Sequence, residues 1–355
     1  MDDYKPMVSV VMPIYNASSF LSDTLDSLVG QTLHDYEVIM VDDGSTDSTV
    51  DIAHQYVNKD SRFRLIKQEN QGAAGARNRG LGEVRGQCVI FLDADDLFDA
   101  SMLLDMSNAV LNENVDVCIC GSDTFDSNSG KTINSSNSLV DVAEGKHDSA
   151  ELLGHIFQTF RGAPWDKMFR SSFLKENHYQ FQNLKKSNDS FFVYANLLKT
   201  GSVYILKKKY VHYRCSSGVS IQDGIGSNNS CVLEAAQALC YLPVPKAAYY
   251  SFETWSFWAY LRAFELSAAS SEMAAKEIFD QYRSHYKHSL GLDSIKASNL
   301  TTSQAQLRFW CEERLSFSAM YRIYCMRDEK REEYESRAGR VFKLIHMFIL
   351  ALFKQ

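Results

Sequence analysis

The sequence is missing the marks of several large protein classes. Of its eight cysteines, at 88, 118, 120, 215, 231, 240, 311 and 325, none forms a Cys-x-x-Cys pair and none has zinc-type Cys/His spacing. Several sit inside apolar runs, as Cys88 does before Val89-Ile90-Phe91, which is the setting of reduced core thiols in a cytosolic protein. No stretch reaches the ~20 apolar residues that a spanning helix needs. The opening Met1-Asp2-Asp3-Tyr4-Lys5-Pro6 is acidic, lacks an apolar core and does not read as a signal peptide. Basic residues are not in excess: the net charge is -7, which disfavours a nucleic-acid partner. Repeats and low-complexity tracts are absent. So are the Gly-x-Gly-x-x-Gly spacing after the first strand and the Gly-Lys-Ser/Thr of a phosphate loop, which argues against a dinucleotide-binding or NTPase fold.

What remains is a chain of 355 residues, long for one domain and comfortable for two, with 45% hydrophobic and 23% charged residues. Its first ~125 residues alternate strand and helix patterns. Val8 to Met12 is a buried-strand run that Pro13 is expected to stop. Ser18 or Ser19 is a candidate cap for a helix carrying Leu21, Leu25, Leu28 and Val29. Tyr36–Val41 is a second strand, and Ser45 or Thr46 a candidate cap for the helix that turns Val50, Ala53 and Val57 inward. Strands at Phe63–Ile66, Cys88–Leu92 and Val115–Cys120 and helices near Ala76–Val84 and Ser101–Leu111 follow. This order predicts a mostly parallel, doubly wound α/β sheet. Residues 123–145 read as a long loop or hairpin. Residues 150–215 mix helix and strand, and 216–230 look like a boundary. Helices are predicted at 233–241, 249–266, 273–286 and 304–324.

In such sheets the ligand crevice lies at the carboxyl ends of the strands. The polar clusters fall there: Tyr15-Asn16, then Asp42-Asp43, then Asp93-Ala94-Asp95-Asp96. In an extended segment residues two apart point the same way, so Asp93 and Asp95 can converge on one cation. Hard divalent ions take oxygen ligands and keep substrate phosphates and water in their shell, and such an ion neutralises a diphosphate leaving group. A solvated acidic turn would look the same. Asp42-Asp43-Gly44-Ser45-Thr46-Asp47 reads either as a turn with a helix cap or as a carboxylate poised for a base N–H or a ribose hydroxyl. In Asn70-Gln71-Gly72-Ala73-Ala74-Gly75-Ala76-Arg77-Asn78, small residues allow close backbone approach and Arg77 can pair with phosphate.

Four blocks in order, Val8-Ser9-Val10-Val11-Met12-Pro13-Ile14-Tyr15-Asn16, Val41-Asp42-Asp43-Gly44-Ser45-Thr46-Asp47, Gly75-Ala76-Arg77-Asn78-Arg79-Gly80 and Phe91-Leu92-Asp93-Ala94-Asp95-Asp96, resemble family 2 glycosyltransferases of bacterial type, which have the GT-A fold. The resemblance covers about 1–215 and fades beyond. It implies a catalytic domain at 1–215, and the helical pattern beyond it makes 216–355 a C-terminal region with an expected acceptor, oligomer or membrane-surface role. Pro13, Tyr15 and Asp43 would line the uracil pocket, with Tyr15 stacking on the base. Gly72 and Arg77 would border the nucleotide, and Asp93 and Ala94 the nucleotide sugar. The metal, Mg²⁺ or Mn²⁺, would be held chiefly by Asp95, with Asp93 and with Asp96 beside it. Trp165-Asp166-Lys167-Met168-Phe169 resembles the block lining the donor sugar and acceptor cleft. Asn188-Asp189-Ser190-Phe191-Phe192 resembles the block holding the catalytic base, Asp189, where the family usually has Glu-Asp. The other reading of Asp189 is a helix N-cap. His212-Tyr213-Arg214 resembles the closing segment near the diphosphate, with His212 a metal ligand or phosphate contact and Arg214 a phosphate contact.

The expected activity is inverting transfer of a hexosyl group from a UDP-sugar to a hydroxyl of a saccharide, lipid-linked or protein-linked acceptor, in bacterial cell-surface polysaccharide or glycoconjugate synthesis. A nucleotidyltransferase would show a Gly-rich basic signature after the first strand, where Pro13-Ile14-Tyr15-Asn16 stands. An inactive nucleotide-sugar-binding module is disfavoured by the intact Asp93, Asp95 and Asp189. The expected location is cytoplasmic. The segment from Arg337 to Gln355 joins basic flanks to an apolar helix pattern. It reads equally as a peripheral contact with the inner leaflet or as a helix packed on the body or on a second copy.

Overall fold

The computed structural model describes residues 5–134, 139, 141–215, 230–286 and 318. One mixed sheet organises those up to residue 215. β1 (Val8–Ile14) and β2 (Tyr36–Asp42) are almost wholly buried, as strands covered on both faces must be. α1 (Leu21–Val29) separates them, and α2 (Thr49–Lys59) leads to β3 (Phe63–Lys67). α3 (Gly72–Leu81) precedes β4 (Cys88–Phe91), which the short β5 (Leu97–Phe98) and α4 (Met102–Asn112) follow. β6 (Val117–Asp126) turns back into β7 (Thr132–Asn134), so the polar stretch from 123 begins as a hairpin. β8 (Gly145–Asp148), α5 (Ser149–Leu152), α6 (Ile156–Thr159), β9 (Lys167–Arg170), α7 (Ser171–Asn177), α8 (Ser190–Lys199) and the long β10 (Ser202–Cys215) complete this part.

The strand order is β3-β2-β1-β4-β9-β6-β10-β5. The β3-β2-β1-β4 half is parallel, as expected. Beyond it β9 pairs antiparallel with both β4 and β6, while β6 and β10 are again parallel. β1 lies between β2 and β4, so its neighbours diverge to opposite sides and open a crevice at its carboxyl end. β1 also runs through Pro13 to Ile14 rather than stopping. Its rungs with β4 end at Val11, so the missing proline N–H falls where no partner strand needs it.

The expected caps are diverted. α1 starts after Phe20 and α2 after Ser48, neither with a side-chain cap. Ser45 Oγ instead accepts from the Asn16 amide, and Thr49 Oγ1 from the Ala17 amide. α3 begins at Gly72, four residues before the predicted Ala76, because its small residues serve packing. A Cβ on Gly80 would lie 2.4 Å from Val11 Cγ1, so only glycine lets the helix ride this close to β1.

The helical part begins at α9 (Cys231–Cys240) and continues with α10 (Tyr249–Ser270) and α11 (Glu272–Gln281). Leu239, Ala248 and Phe252 join the core that lies under α8, while Leu233, Phe257, Tyr260, Ile278 and Phe279 form a separate helical core. No helix of the described residues is long and apolar enough to cross a membrane. The helix predicted at 304–324, apart from Ser318, and the segment 337–355 lie outside the described residues.

Candidate active site

The loops leaving β1 and β2 are tied together. Asn16, at φ 47°, accepts from the Thr46 amide through Oδ1 at 2.8 Å, and Asp47 accepts from the Ser18 amide. Asn tolerates this left-handed conformation better than most residues. The turn leaves the neighbouring Tyr15 ring 52% exposed at the crevice, beside half-buried Pro13. An exposed aromatic in a loop held this firmly is a platform on which a flat ring can stack. Across the crevice, Asp43 is buried and its carboxylate accepts from Gln68 Nε2, the Gln71 amide and the Gly72 amide, each at 2.8 Å. Asp43 thus serves the start of α3, where Gly72 at φ 80° turns the chain, and Oδ2 keeps acceptor capacity.

The acid loop follows β4. Arg77 is 6% exposed and donates from Nη2 to Asp93 Oδ1 at 2.6 Å and from Nη1 to Asn188 Oδ1 at 2.9 Å. One guanidinium thus links the acid loop to the residue preceding Asp189. Burial, followed by the charge of Asp93, pushes the Asp95 carboxyl up to about 6. Burial, then Asp95 and Asp93, holds Asp96 well above the usual carboxylate range, and its Oδ2 is buried without a hydrogen-bond partner. Asp96 Oδ1 accepts from the Arg214 amide, and Arg214 Nε donates to the Asp95 carbonyl at 2.7 Å. The Arg214 guanidinium lies between the rings of Phe20 and Phe125, 4.9 Å from each, so it grips the acid loop from behind. Trp165 is 6% exposed and stacks on Tyr213.

Asp189 occupies the N-cap position of α8, yet its side chain makes no capping hydrogen bond. Burial raises its carboxyl above the ordinary range, with Arg77 opposing and Asp93 adding to the rise. A carboxylate with elevated proton affinity and no capping duty is suited to accept a proton. The segment leading to it is fixed by Asn78, whose side-chain amide exchanges two 2.9 Å hydrogen bonds with the Phe181 backbone.

These residues carry a family signature. The family model described as Glycosyl transferase family 2 matches residues 9–180. Residues 9–180 form a glycosyl transferase family 2 domain. The putative glycosyltransferase EpsH of Bacillus subtilis (strain 168) is 32% identical over 215 residues, covering 59% of this chain and 61% of that protein. The cholesterol galactosyltransferase of Borreliella burgdorferi is 32% identical over 211 residues, 56% of this chain and 58% of that one. The chain thus spans about three-fifths of the length of these relatives. Among solved structures, S. aureus TarS 1-349 in complex with UDP superposes with a TM-score of 0.66 at 20% identity, covering 92% of each chain. The architecture is the GT-A fold with a helical C-terminal region.

In this family 2 site the three expected metal ligands are not gathered as one cluster. Among the described residues no group of three or more His, Cys, Asp or Glu closes on a point. Asp93 is turned to Arg77, and His212 Nδ1 lies 2.7 Å from Asp123 Oδ1. The residues nonetheless fit a divalent cation. The acid loop offers hard oxygen donors, Asp95 and Asp96 are short of positive charge, and Mg²⁺ needs only one or two carboxylates when phosphates complete its shell. Sequence reasoning missed Asp123 and the ties from Asn16 and Asn78. Asp123 stands inside a stretch that reads as a long loop or hairpin, and only the β6–β10 register brings it opposite His212.

Proposed function

We propose that this family 2 enzyme transfers a hexosyl group from a UDP-sugar to an acceptor hydroxyl with inversion, using Mg²⁺ or Mn²⁺. The reading rests chiefly on Arg77, which joins Asp93 of the acid loop to the segment bearing Asp189. The complexes of TarS with UDP and UDP-GlcNAc support a uridine nucleotide as the donor class. In this reading uracil stacks on Tyr15 between Pro13 and Asp43, with Gly72 at its edge. Asp93 and Ala94 border the ribose and sugar, and Arg77 and Arg214 border the diphosphate. Asp95 and Asp93 hold the cation, with His212 presenting Nε2 once Asp123 has fixed Nδ1. The cation, when bound, neutralises the charge that develops on the leaving diphosphate.

The chain's own chemistry is proton removal. An acceptor hydroxyl is a poor nucleophile at neutral pH, and Asp189 takes its proton as the glycosidic bond forms, an effect typically of ~10²–10⁴-fold. Trp165 walls the sugar cleft. Residues 1–215 form the catalytic domain, and 216–355 serve the acceptor or a second copy, or rest on the inner leaflet at the cytoplasmic face. The acceptor is a saccharide or a lipid- or protein-linked glycan of the cell surface. The poly(ribitol-phosphate) beta-glucosyltransferase of Bacillus spizizenii, 32% identical over 203 residues, supports that setting. Incubation with a panel of UDP-sugars and Mn²⁺, read as UDP release, tests the reading. Release with one donor, lost in EDTA and in Asp95→Ala, is expected. Full activity in EDTA would remove the metal from the scheme.

A further inference from the structure

Lys167 is a charge buried with no role in the chemistry above. Its side chain is 0% exposed, and Nζ donates to the Arg161 carbonyl and the Ala163 carbonyl at 2.9 Å and to Asp166 Oδ1 at 2.5 Å. All three ammonium N–H groups are thereby used. Buried ion pairs are weak sources of stability, so the position calls for another explanation. The three acceptors lie on one short segment, residues 160–166, which Lys167 draws around itself.

That segment touches both halves of the site. On the Asp189 side, the Phe160 carbonyl accepts from the Tyr194 hydroxyl at 2.9 Å. Gly162 lies against the start of α8, where an added Cβ would sit 2.9 Å from Ser190 Oγ and 3.3 Å from Ser190 Cα. On the acid-loop side, Trp165 stacks on Tyr213 with centroids 5.9 Å apart, and Tyr213 lies between His212 and Arg214. The Cys120 amide donates to the Asp166 carbonyl and fixes the segment to β6.

We propose that Lys167 is a positioning residue. It holds segment 160–166 as a brace that sets the distance between Asp189 and the acid loop, and the brace walls the acceptor side of the cleft. This rests on Asp189 being the base. A loose brace lets Asp189 drift from the reacting hydroxyl, and small misplacements of reacting groups cost ~10²-fold in rate.

Two variants test it. Asp166→Asn with Lys167→Met removes both charges and avoids stranding one of them. Gly162→Ala leaves the pair intact and lifts the segment off Ser190. The readouts are UDP affinity by calorimetry, UDP release from the donor with water as acceptor, and hydrogen exchange over residues 161–166. Both variants should keep UDP affinity and lose turnover, and the double variant should exchange faster over 161–166. UDP affinity falling in step with turnover, or wild-type turnover in both variants, overturns the proposal. So does unchanged exchange over 161–166 in the double variant, a readout that needs no donor turnover. Asp189→Asn run in parallel separates the two ideas. Wild-type turnover there would fell the base reading alone, and the brace would then stand or fall on exchange.

Discussion

At the amino ends of β1 and β2, Glu37 is 3% exposed and fully met: Ser9 Oγ and the Arg85 amide donate to Oε1, and Arg85 Nε donates to Oε2. At the carboxyl ends of β1 and β4, Asp95, Asp96 and Asp189 are also withdrawn from water, but cations and donors are too few to match them. The outcome is opposite in sign. Burial alone would raise Glu37, yet the hydrogen bonds from Arg85 and Ser9 hold it below the usual range, while the three aspartates stand above it. One end of the sheet is finished as structure. The other is left short of positive charge, the condition in which a cationic or proton-bearing ligand is welcome.

The sharpest way to break this contrast is Asp189→Asn. Turnover should fall by ~10²–10⁴-fold while UDP affinity holds, because the lost interaction belongs to the transition state. A large loss of UDP affinity at unchanged turnover would make Asp189 a binding or capping residue. In the wild type, the raised Asp189 carboxyl should place the acidic limb of the rate profile above the ordinary aspartate range.

Glu37→Gln comes next. It leaves Arg85 without its partner, and about 1–3 kcal/mol of stability should go, below the 3–5 typical of a fully buried pair because Arg85 is half exposed. Denaturant unfolding reads the loss, and UDP affinity should be untouched well below the melting point. The pH dependence has a definite sign. Glu37 contributes stability that is complete above its unfolded value and disappears as pH falls through its depressed folded value.

The open end should behave the other way. Asp95→Asn in metal-free buffer at pH 7 should raise stability, on the order of 1 kcal/mol, because Asp95 is ionised there against its environment. For the same reason Asp95 in the wild type subtracts stability as pH rises from the unfolded value through about 6. Equal or lower stability in the variant would show that the acid loop is satisfied without a cation. Smallest of all, Arg64→Ala removes a partly exposed partner 3.2 Å from Glu37 and should cost under about 1 kcal/mol.

Much of this division was legible beforehand, and the parts that were not have physical causes. Apolar runs with polar or acidic residues at their ends point to β1, β2, β4 and the crevice, because parallel strands must be apolar throughout and ligands gather where they end. The start of α3 was placed late because Gly72 and Gly75 read as loop, whereas Gly80 and its neighbours are small to admit close packing on Val11. Ser45 read as a cap, since nothing local reveals that the Asn16 amide, 29 positions away in sequence, would claim its hydroxyl. The braces at Lys167, Asp123 and Asn78 are long-range or shape-dependent hydrogen bonds, invisible to periodicity.

The place of β9 bears on how the chain reaches this state. β9 fills the gap between β4 and β6, although it follows both of them in sequence. Until Lys167–Arg170 have left the ribosome, β4 and β6 each present a bare hydrogen-bonding edge, the kind that recruits strands from other chains. The β3-β2-β1-β4 part can form early, but the other part waits for β10 (Ser202–Cys215), which follows even β9 in sequence. Slow closure, with β6 lacking its β10 neighbour until Cys215 has emerged, is expected from that order of assembly.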